Sequence, residues 1–208
     1  MDLQEHVDLV DWRRRVGDSY RLPTLAAWRA ARDRLFREHP QSPVPADERA
    51  AFTGLRWFPP DPAYRVAAAL VPGDGAPVEI DTGGEDGVVH YRRIGALRFR
   101  LHDQDCSLTV LALVGYGSGL FVPFRDGTSG GESYGGGRYL VDTVKGTDGG
   151  CLEVTPGSTD VTIDFNYAYH PSCVYSPRWA CPLAPPENRL LVPVRAGERL
   201  WEESETWR

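Results

Sequence analysis

The residues best suited to chemistry lie in the C-terminal third of the 208-residue chain. Arg125 precedes the glycine-rich stretch GTSGGESYGGG, and Arg138 follows it. Backbone N–H groups of such a stretch can form an anion-binding nest, and arginine binds carboxylate or phosphate through paired hydrogen bonds. The pattern therefore predicts a polar cavity for an anionic ligand. A hairpin whose arginines pair with Asp126, Asp164 or Glu132 would use the same residues, and this alternative stays open.

The same region supplies candidates for proton transfer and for substrate binding. A carboxyl group in an aromatic-lined pocket can have its pKa raised into the working range, so the candidate catalytic residues are Asp164, Glu132 and Tyr134. The candidate substrate-binding residues are Arg125, Arg138, Ser129, Tyr139, Asn166, Tyr169 and Asn188. The glycine-rich stretch is neither a Walker loop nor a Rossmann fingerprint, and the sequence contains no recognisable Ser-His-Asp arrangement. No motif indicates a cofactor or a reaction class.

Cys173 and Cys181 are a further candidate pair. Their spacing is wider than that of a zinc ribbon or a thioredoxin motif, so no metal site is expected. Buried thiols are the first interpretation, a Cys173–Cys181 disulfide the second, and a metal site completed by His170 the third. Pro177 and the following CPLAPPEN segment predict that the chain turns back and brings the two cysteines together.

Composition and charge exclude several classes of protein. The net charge of −6 and the scattered basic residues oppose nucleic-acid binding. The sequence has no apolar run long enough to cross a bilayer, which predicts a soluble, cytoplasmic protein without a membrane partner. A hydrophobic content of 41% with 25% charged residues predicts one globular domain over 1–208, with a helical segment over 1–52 and a β core over 53–208.

Two helices and a series of strands must position these residues. A weak apolar stripe predicts a helix over 2–16 that ends at Gly17, and a stronger stripe predicts a helix from an N-cap at Thr24 to His39. Residues 41–52 are expected to form a turn and one helical turn. The predicted strands are 63–71, 77–81, 88–93, 96–102, 107–114, 120–125, 138–144, 151–155, 160–165, 190–194 and 199–202.

The spacing of these strands predicts a mainly β fold, an antiparallel β-barrel or sandwich with an N-terminal helical pair. Alternation places Leu97, Phe99 and Leu101 on one face of a strand, and Val161, Ile163 and Phe165 on one face of another. If the second strand continues through DFNYAY, Asp164 and Asn166 form a polar row opposite that apolar face.

Several motifs together resemble a family of bacterial and archaeal proteins known as a domain of unknown function. The resemblance rests on FVPFRDGTSG, ESYGGGRYL, DFNYAYHPSC, CPLAPPENRL and AGER, and on WRAARDRLF, SPV and FTGLRWFPPDPAYRV in the first half of the chain. The resemblance implies that these positions matter to the family, but it says little about their chemistry. This chain has His170 where the family usually has asparagine, so a metal or acid–base role of His170 would be peculiar to this member.

The leading functional hypothesis is a pocket-containing protein that acts on a small polar or anionic metabolite. An enzyme is favoured, with Arg125 and Arg138 holding the ligand and Asp164 or Glu132 transferring protons. The alternatives are a non-catalytic small-molecule-binding module and a metal or redox protein centred on Cys173 and Cys181. The sequence does not indicate an oligomeric state.

Overall fold

The computed structural model describes residues 2–84 and 87–201. It begins with two helices, α1 (Leu3–Ser19) and α2 (Leu25–Glu38). At the start of α1 the Asp2 carboxylate accepts the N–H of Glu5 at 2.8 Å, and the Glu5 carboxylate accepts the N–H of Asp2 at 2.8 Å. At the start of α2 the side chain of Thr24 caps the first turn, as predicted. Both caps satisfy N–H groups that a helix end leaves unpaired.

Two predictions about the N-terminal segment were wrong. Helix α1 does not stop at Gly17 but continues to Ser19. A Cβ atom on Gly146 would lie 3.2 Å from the Cα of Gly17, so the helix packs closely on that loop. This contact offsets the cost of about 1 kcal/mol for glycine inside a helix. Residues 41–52 form successive turns instead of a helical turn, with N–H groups bonded to the third carbonyl before them, as at Glu48.

Eight strands follow in the described part of the chain. They are β1 (Arg65–Pro72), β2 (Pro77–Asp81), β3 (Val88–Leu101), β4 (Gln104–Leu113), β5 (Leu120–Phe124), β6 (Arg138–Asp142), β7 (Leu152–Glu153) and β8 (Asp160–Asp164). The runs predicted at 88–93 and 96–102 are one strand with a bulge between Arg93 and Gly95. The runs predicted at 190–194 and 199–202 were wrong, because 190–194 and 199–201 are irregular; residue 202 lies outside the described residues.

All strand pairs are antiparallel, in the order β6-β5-β4-β3-β1-β8-β7, with β2 also paired to β3. The long β3 pairs with β2 along its first half and with β1 along its second half. Beyond β8 the chain reaches β6, where Tyr139 and Tyr169 exchange backbone hydrogen bonds of 2.8 and 3.1 Å. This exchange brings the two sides of the sheet together. The predicted antiparallel β fold with an N-terminal helical pair is confirmed, as a nearly closed barrel.

The core joins both helices to the sheet. Trp28 and Phe36 of α2 belong to the same buried cluster as the inward-facing residues of β3 and β8. The predicted face of Leu97, Phe99 and Leu101 is buried, as is the face of Val161, Ile163 and Phe165. Within residues 2–84 and 87–201, no helix has both the length and the apolar character needed to cross a membrane.

Candidate functional site

The glycine-rich connection between β5 and β6 begins with a turn built around Asp126. The buried carboxylate accepts hydrogen bonds from the hydroxyl groups of Thr128 at 3.0 Å and Ser129 at 3.2 Å, and from the N–H of Val194. These bonds satisfy a carboxylate that is shielded from water. Ser129, a predicted substrate-binding residue, is therefore part of the turn.

Arg138 lies inside the fold. Its guanidinium donates to the carbonyl oxygens of Val194 at 2.7 Å and Glu198 at 3.1 Å, and to that of Ala196, and it lies 3.4 Å from the Asp126 carboxylate. Burial lowers the pKa of Arg138, and the neighbouring Asp126 opposes this effect. Both terminal nitrogens are thus engaged by residues of the chain itself. Of the two interpretations of this arginine, the pairing with Asp126 is the one that the geometry favours.

Arg125 has a different environment. Its backbone pairs with the C-terminal segment, donating to the carbonyl of Asn188 at 2.8 Å and accepting from Leu190 at 2.8 Å. Its side chain is half-buried and interacts electrostatically with Tyr134. Among the described residues, the Nε of Arg125 has no hydrogen-bond partner. The Nε of Arg138 is likewise buried and unpartnered among the described residues, so the two arginines differ in their terminal nitrogens, which in Arg138 are occupied.

Each of the two predicted catalytic carboxylates, Glu132 and Asp164, has its own partner within the chain. Glu132 is exposed and binds the Arg195 guanidinium at 2.9 Å. Asp164 ends β8 and accepts the backbone N–H and the side-chain amide of Asn166 at 2.9 and 2.8 Å. The side-chain amide of Asn166 in turn accepts the backbone N–H of Asp61 and donates to its carbonyl oxygen. Because residues 165–167 form a 3-10 turn, β8 does not continue through DFNYAY, so the condition for a polar row of Asp164 and Asn166 is not met.

Three other predicted binding residues connect loops to the barrel. The Asn188 amide is fully buried; it accepts the N–H of Thr109 at 2.7 Å and donates to the carbonyls of Thr109 and Pro123 at 3.0 and 2.8 Å. The hydroxyl of Tyr139 donates to a loop carbonyl at 2.7 Å, and that of Tyr169 shares a hydrogen bond of 3.0 Å with a threonine. Burial raises the pKa of both tyrosines. These contacts show how the three side chains are held in the fold.

The cysteine pair is the reactive group that the fold does bring together. All four cysteines of the chain are free thiols. Turns at 172–179 reverse the chain, so that the thiols of Cys173 and Cys181 come close enough to shift each other's pKa. The backbone of Ser172 and Cys173 also lowers the pKa of Cys181.

This arrangement separates the two thiols chemically. The neighbouring Cys173 thiol lowers the pKa of Cys181, with burial acting against it and the Lys145 ammonium contributing in the same direction. The Cys181 thiol, together with burial, raises the pKa of Cys173, while the hydroxyl of Tyr134 partly opposes this. The two thiols thus shift each other's pKa in opposite directions. By contrast, burial raises the pKa of both Cys106 and Cys151, as is typical of unreactive thiols.

Tyr134 connects the thiol pair to a buried polar group. Its backbone N–H donates to the Nε2 of His170 at 3.2 Å. The Nδ1 of His170 lies 3.6 Å from the Glu198 carboxylate, which also accepts the backbone N–H of His170 at 3.0 Å and lies 3.5 Å from Arg32. His170 is thus oriented by neighbours within the fold. Across the described ranges, no three His, Cys, Asp or Glu side chains cluster in a way that could hold a metal ion.

The sequence reasoning missed three residues near these groups. Arg32 interrupts the apolar stripe of α2 between Trp28 and Phe36, and a charge at that position signals a buried partner. That partner is Glu198, which lies in the AGER motif. Lys145, the only lysine of the chain, bonds a carboxylate of β6 at 3.1 Å and acts on Cys181 through its charge.

The fold and the site together define a nearly closed antiparallel barrel that carries a pair of neighbouring free thiols. The family model "Protein of unknown function (DUF1684)" matches residues 50–199, and the chain belongs to this family. The chain is also similar to an uncharacterized protein from Haloarcula marismortui, whose solution NMR structure shares 39% identity and a TM-score of 0.61. That similarity covers 85% of this chain and 92% of the other. No protein with a curated description matches the chain. The expected resemblance to an uncharacterised family is confirmed.

Proposed function

We propose that this chain is a thiol redox protein whose Cys173 and Cys181 cycle between a dithiol and a disulfide. The observation that carries the proposal is the approach of two free thiols, Cys173 and Cys181, which the turns at 172–179 bring together. A thiolate is the nucleophile in thiol chemistry, and a second thiol in contact with it can complete a disulfide.

The surroundings of the pair fit this role. Cys173 is partly exposed and Cys181 is buried, so Cys173 is the more accessible of the two residues to a reaction partner. The hydroxyl of Tyr134 acts on the pKa of Cys173, and the charge of Arg125 acts on that of Tyr134, so a small polar or anionic molecule that binds at Arg125 would lie near the thiols. The predicted binding of such a ligand stays a prediction.

A thiol–disulfide titration tests the proposal. The purified protein is equilibrated in glutathione or dithiothreitol buffers of graded potential, free thiols are blocked with a maleimide, and blocked thiols are counted by mass spectrometry. We expect Cys173 and Cys181 to be lost together in a single reversible transition. The Cys106→Ser variant should show the same transition, because Cys106 lies on β4, outside the 172–181 segment.

The Cys173→Ser and Cys181→Ser variants should abolish the transition. Folding of each variant is checked by circular dichroism before the titration. If a sample equilibrated in the most oxidising buffer and then denatured for maleimide labelling still shows all four thiols free, the proposed function is contradicted.

A further inference from the structure

The apolar stripe of α1 does not face the core of the protein. Its members Leu3, Val7 and Val10 keep 80, 53 and 56% of their surface exposed. Helix α1 packs instead through its opposite face, where the ring of Trp12 lies 5.8 Å from that of Phe36. Packing within the described residues therefore does not account for three large apolar side chains on one face of this helix, and a contiguous exposed stripe of this kind is typical of an interaction surface.

The two ends of the stripe carry opposite charges. The spacing of four, three and four residues from Leu3 to Arg14 places the stripe on one face of the helix, over about 16 Å. At its C-terminal end, Arg13 and Arg14 form no ion pair with another residue of 2–84 or 87–201. At its N-terminal end lie the carboxylates of Asp2 and Glu5, which form the helix cap. The stripe is therefore acidic at one end, apolar in the middle and basic at the other end.

We infer that α1 is the interface of a homodimer in which the α1 helices of two copies pack antiparallel about a two-fold axis. With the axis between Val7 and Val10, Val7 of one copy packs on Val10 of the other, and the same surface serves both copies. Leu3 then packs on the aliphatic part of Arg14 of the other copy. Every member of the stripe thus gains a partner from one symmetric contact.

Charge favours this orientation and this occupant. Antiparallel packing brings Arg13 and Arg14 of one copy beside the acidic first turn of the other, whereas parallel packing would bring the arginines of both copies together. An anionic membrane surface could also attract these arginines, but three aliphatic residues give a short apolar face for insertion, and the chain has a net charge of −6. A second copy satisfies both ends of the stripe at once.

Sedimentation velocity of the full chain measures this association. A contact this short lies below the usual size of a protein–protein interface, so we expect a dissociation constant on the order of 100 µM, measured over about 5 µM to 1 mM. Val7→Asp should weaken the dimer by at least about tenfold, because it places a charge at the centre of the contact. Leu191→Asp is the matched control, because Leu191 is 86% exposed and lies outside α1. Circular dichroism first checks that each variant is folded.

A mixture of two variants tests the orientation of the helices. Val7→Asp and Val10→Lys should each sediment as a monomer alone, whereas their equimolar mixture should associate, because antiparallel packing sets the new carboxylate against the new ammonium group. A mixture that stays monomeric, or a dimer that survives Val7→Asp, would overturn the inference. So would a wild type that stays monomeric up to about 1 mM. A monomeric wild type that sediments with phosphatidylglycerol vesicles would assign the stripe to a membrane surface instead.

Discussion

Replacing Arg138 with methionine removes a buried guanidinium that three backbone carbonyls and one carboxylate share. The carbonyls belong to Val194, Ala196 and Glu198, and the carboxylate to Asp126, with both charged side chains fully buried. Methionine fills much of the same space but can donate no hydrogen bond. The variant therefore leaves Asp126 as a charge without its cationic partner.

Loss of one partner of a buried ion pair costs about 3–5 kcal/mol of unfolding free energy. A chain of this length loses about 2–4 °C in Tm for each kcal/mol, so we expect Tm to fall by about 6–20 °C. The double variant Arg138→Met with Asp126→Leu removes both charges, and its loss should be smaller than the sum of the two single losses. The expected coupling energy is about 1–3 kcal/mol.

The assay is thermal and urea unfolding followed by circular dichroism for the wild type, both single variants and the double variant. Arg125→Met is the matched control, because its half-buried side chain bonds no carbonyl in the described residues. We expect its loss of Tm to be well below that of Arg138→Met. A fall of less than about 2 °C for Arg138→Met, or additive losses in the double variant, would refute the structural role of this arginine.

Three further expectations concern the thiol pair and a buried amide. Alkylation of Cys181 should persist as the pH falls below about 8.5, because its lowered pKa retains the thiolate. The pKa of Cys106 is raised, so its rate of alkylation should fall about tenfold per pH unit, and peptide mass spectrometry over pH 6–9 measures both rates. Gly136→Ala places a Cβ 2.4 Å from the ring of Tyr134, which lies beside the thiols, so it should slow disulfide formation. Gly135→Ala is the control, because its Cβ meets its nearest atom at 3.7 Å, and equal rates in the two variants would contradict this expectation. Asn188→Ala strands three backbone groups and should cost at least about 2 kcal/mol in urea unfolding, and a neutral result would show that water replaces the amide.

Much of the fold could be predicted because its signals are local. The N-cap at Thr24 and the alternation of Leu97, Phe99 and Leu101 depend on neighbouring residues only, and both are confirmed. The helix end at Gly17 was wrong because packing on a distant loop outweighs local propensity. The strand predicted at 190–194 was wrong because that segment bonds to the barrel through single backbone contacts, such as Leu190 to Arg125.

The site was harder to predict because arginines and carboxylates serve ligand binding and internal pairing equally well. The pairing of Arg138 with Asp126 was one of two open alternatives. These two residues are only twelve positions apart in the chain. The carbonyl partners of Arg138 lie 56–60 residues further along, and no sequence pattern indicates such a contact. The approach of Cys173 to Cys181 was predictable, since prolines between and after them reverse the chain.

The bonds from Arg138 to residues 194–198 also bear on the order of assembly during synthesis. A chain emerges from the ribosome N-terminus first, so the barrel strands are available before the segment that satisfies this guanidinium. Until residues 194–198 have emerged, the nascent barrel must leave a charged group either hydrated or unpaired in its interior. The final packing of the barrel is therefore coupled to the arrival of its C-terminal segment. A ribosome-bound chain that ends before residue 190 should be degraded by a protease that leaves the full-length chain intact.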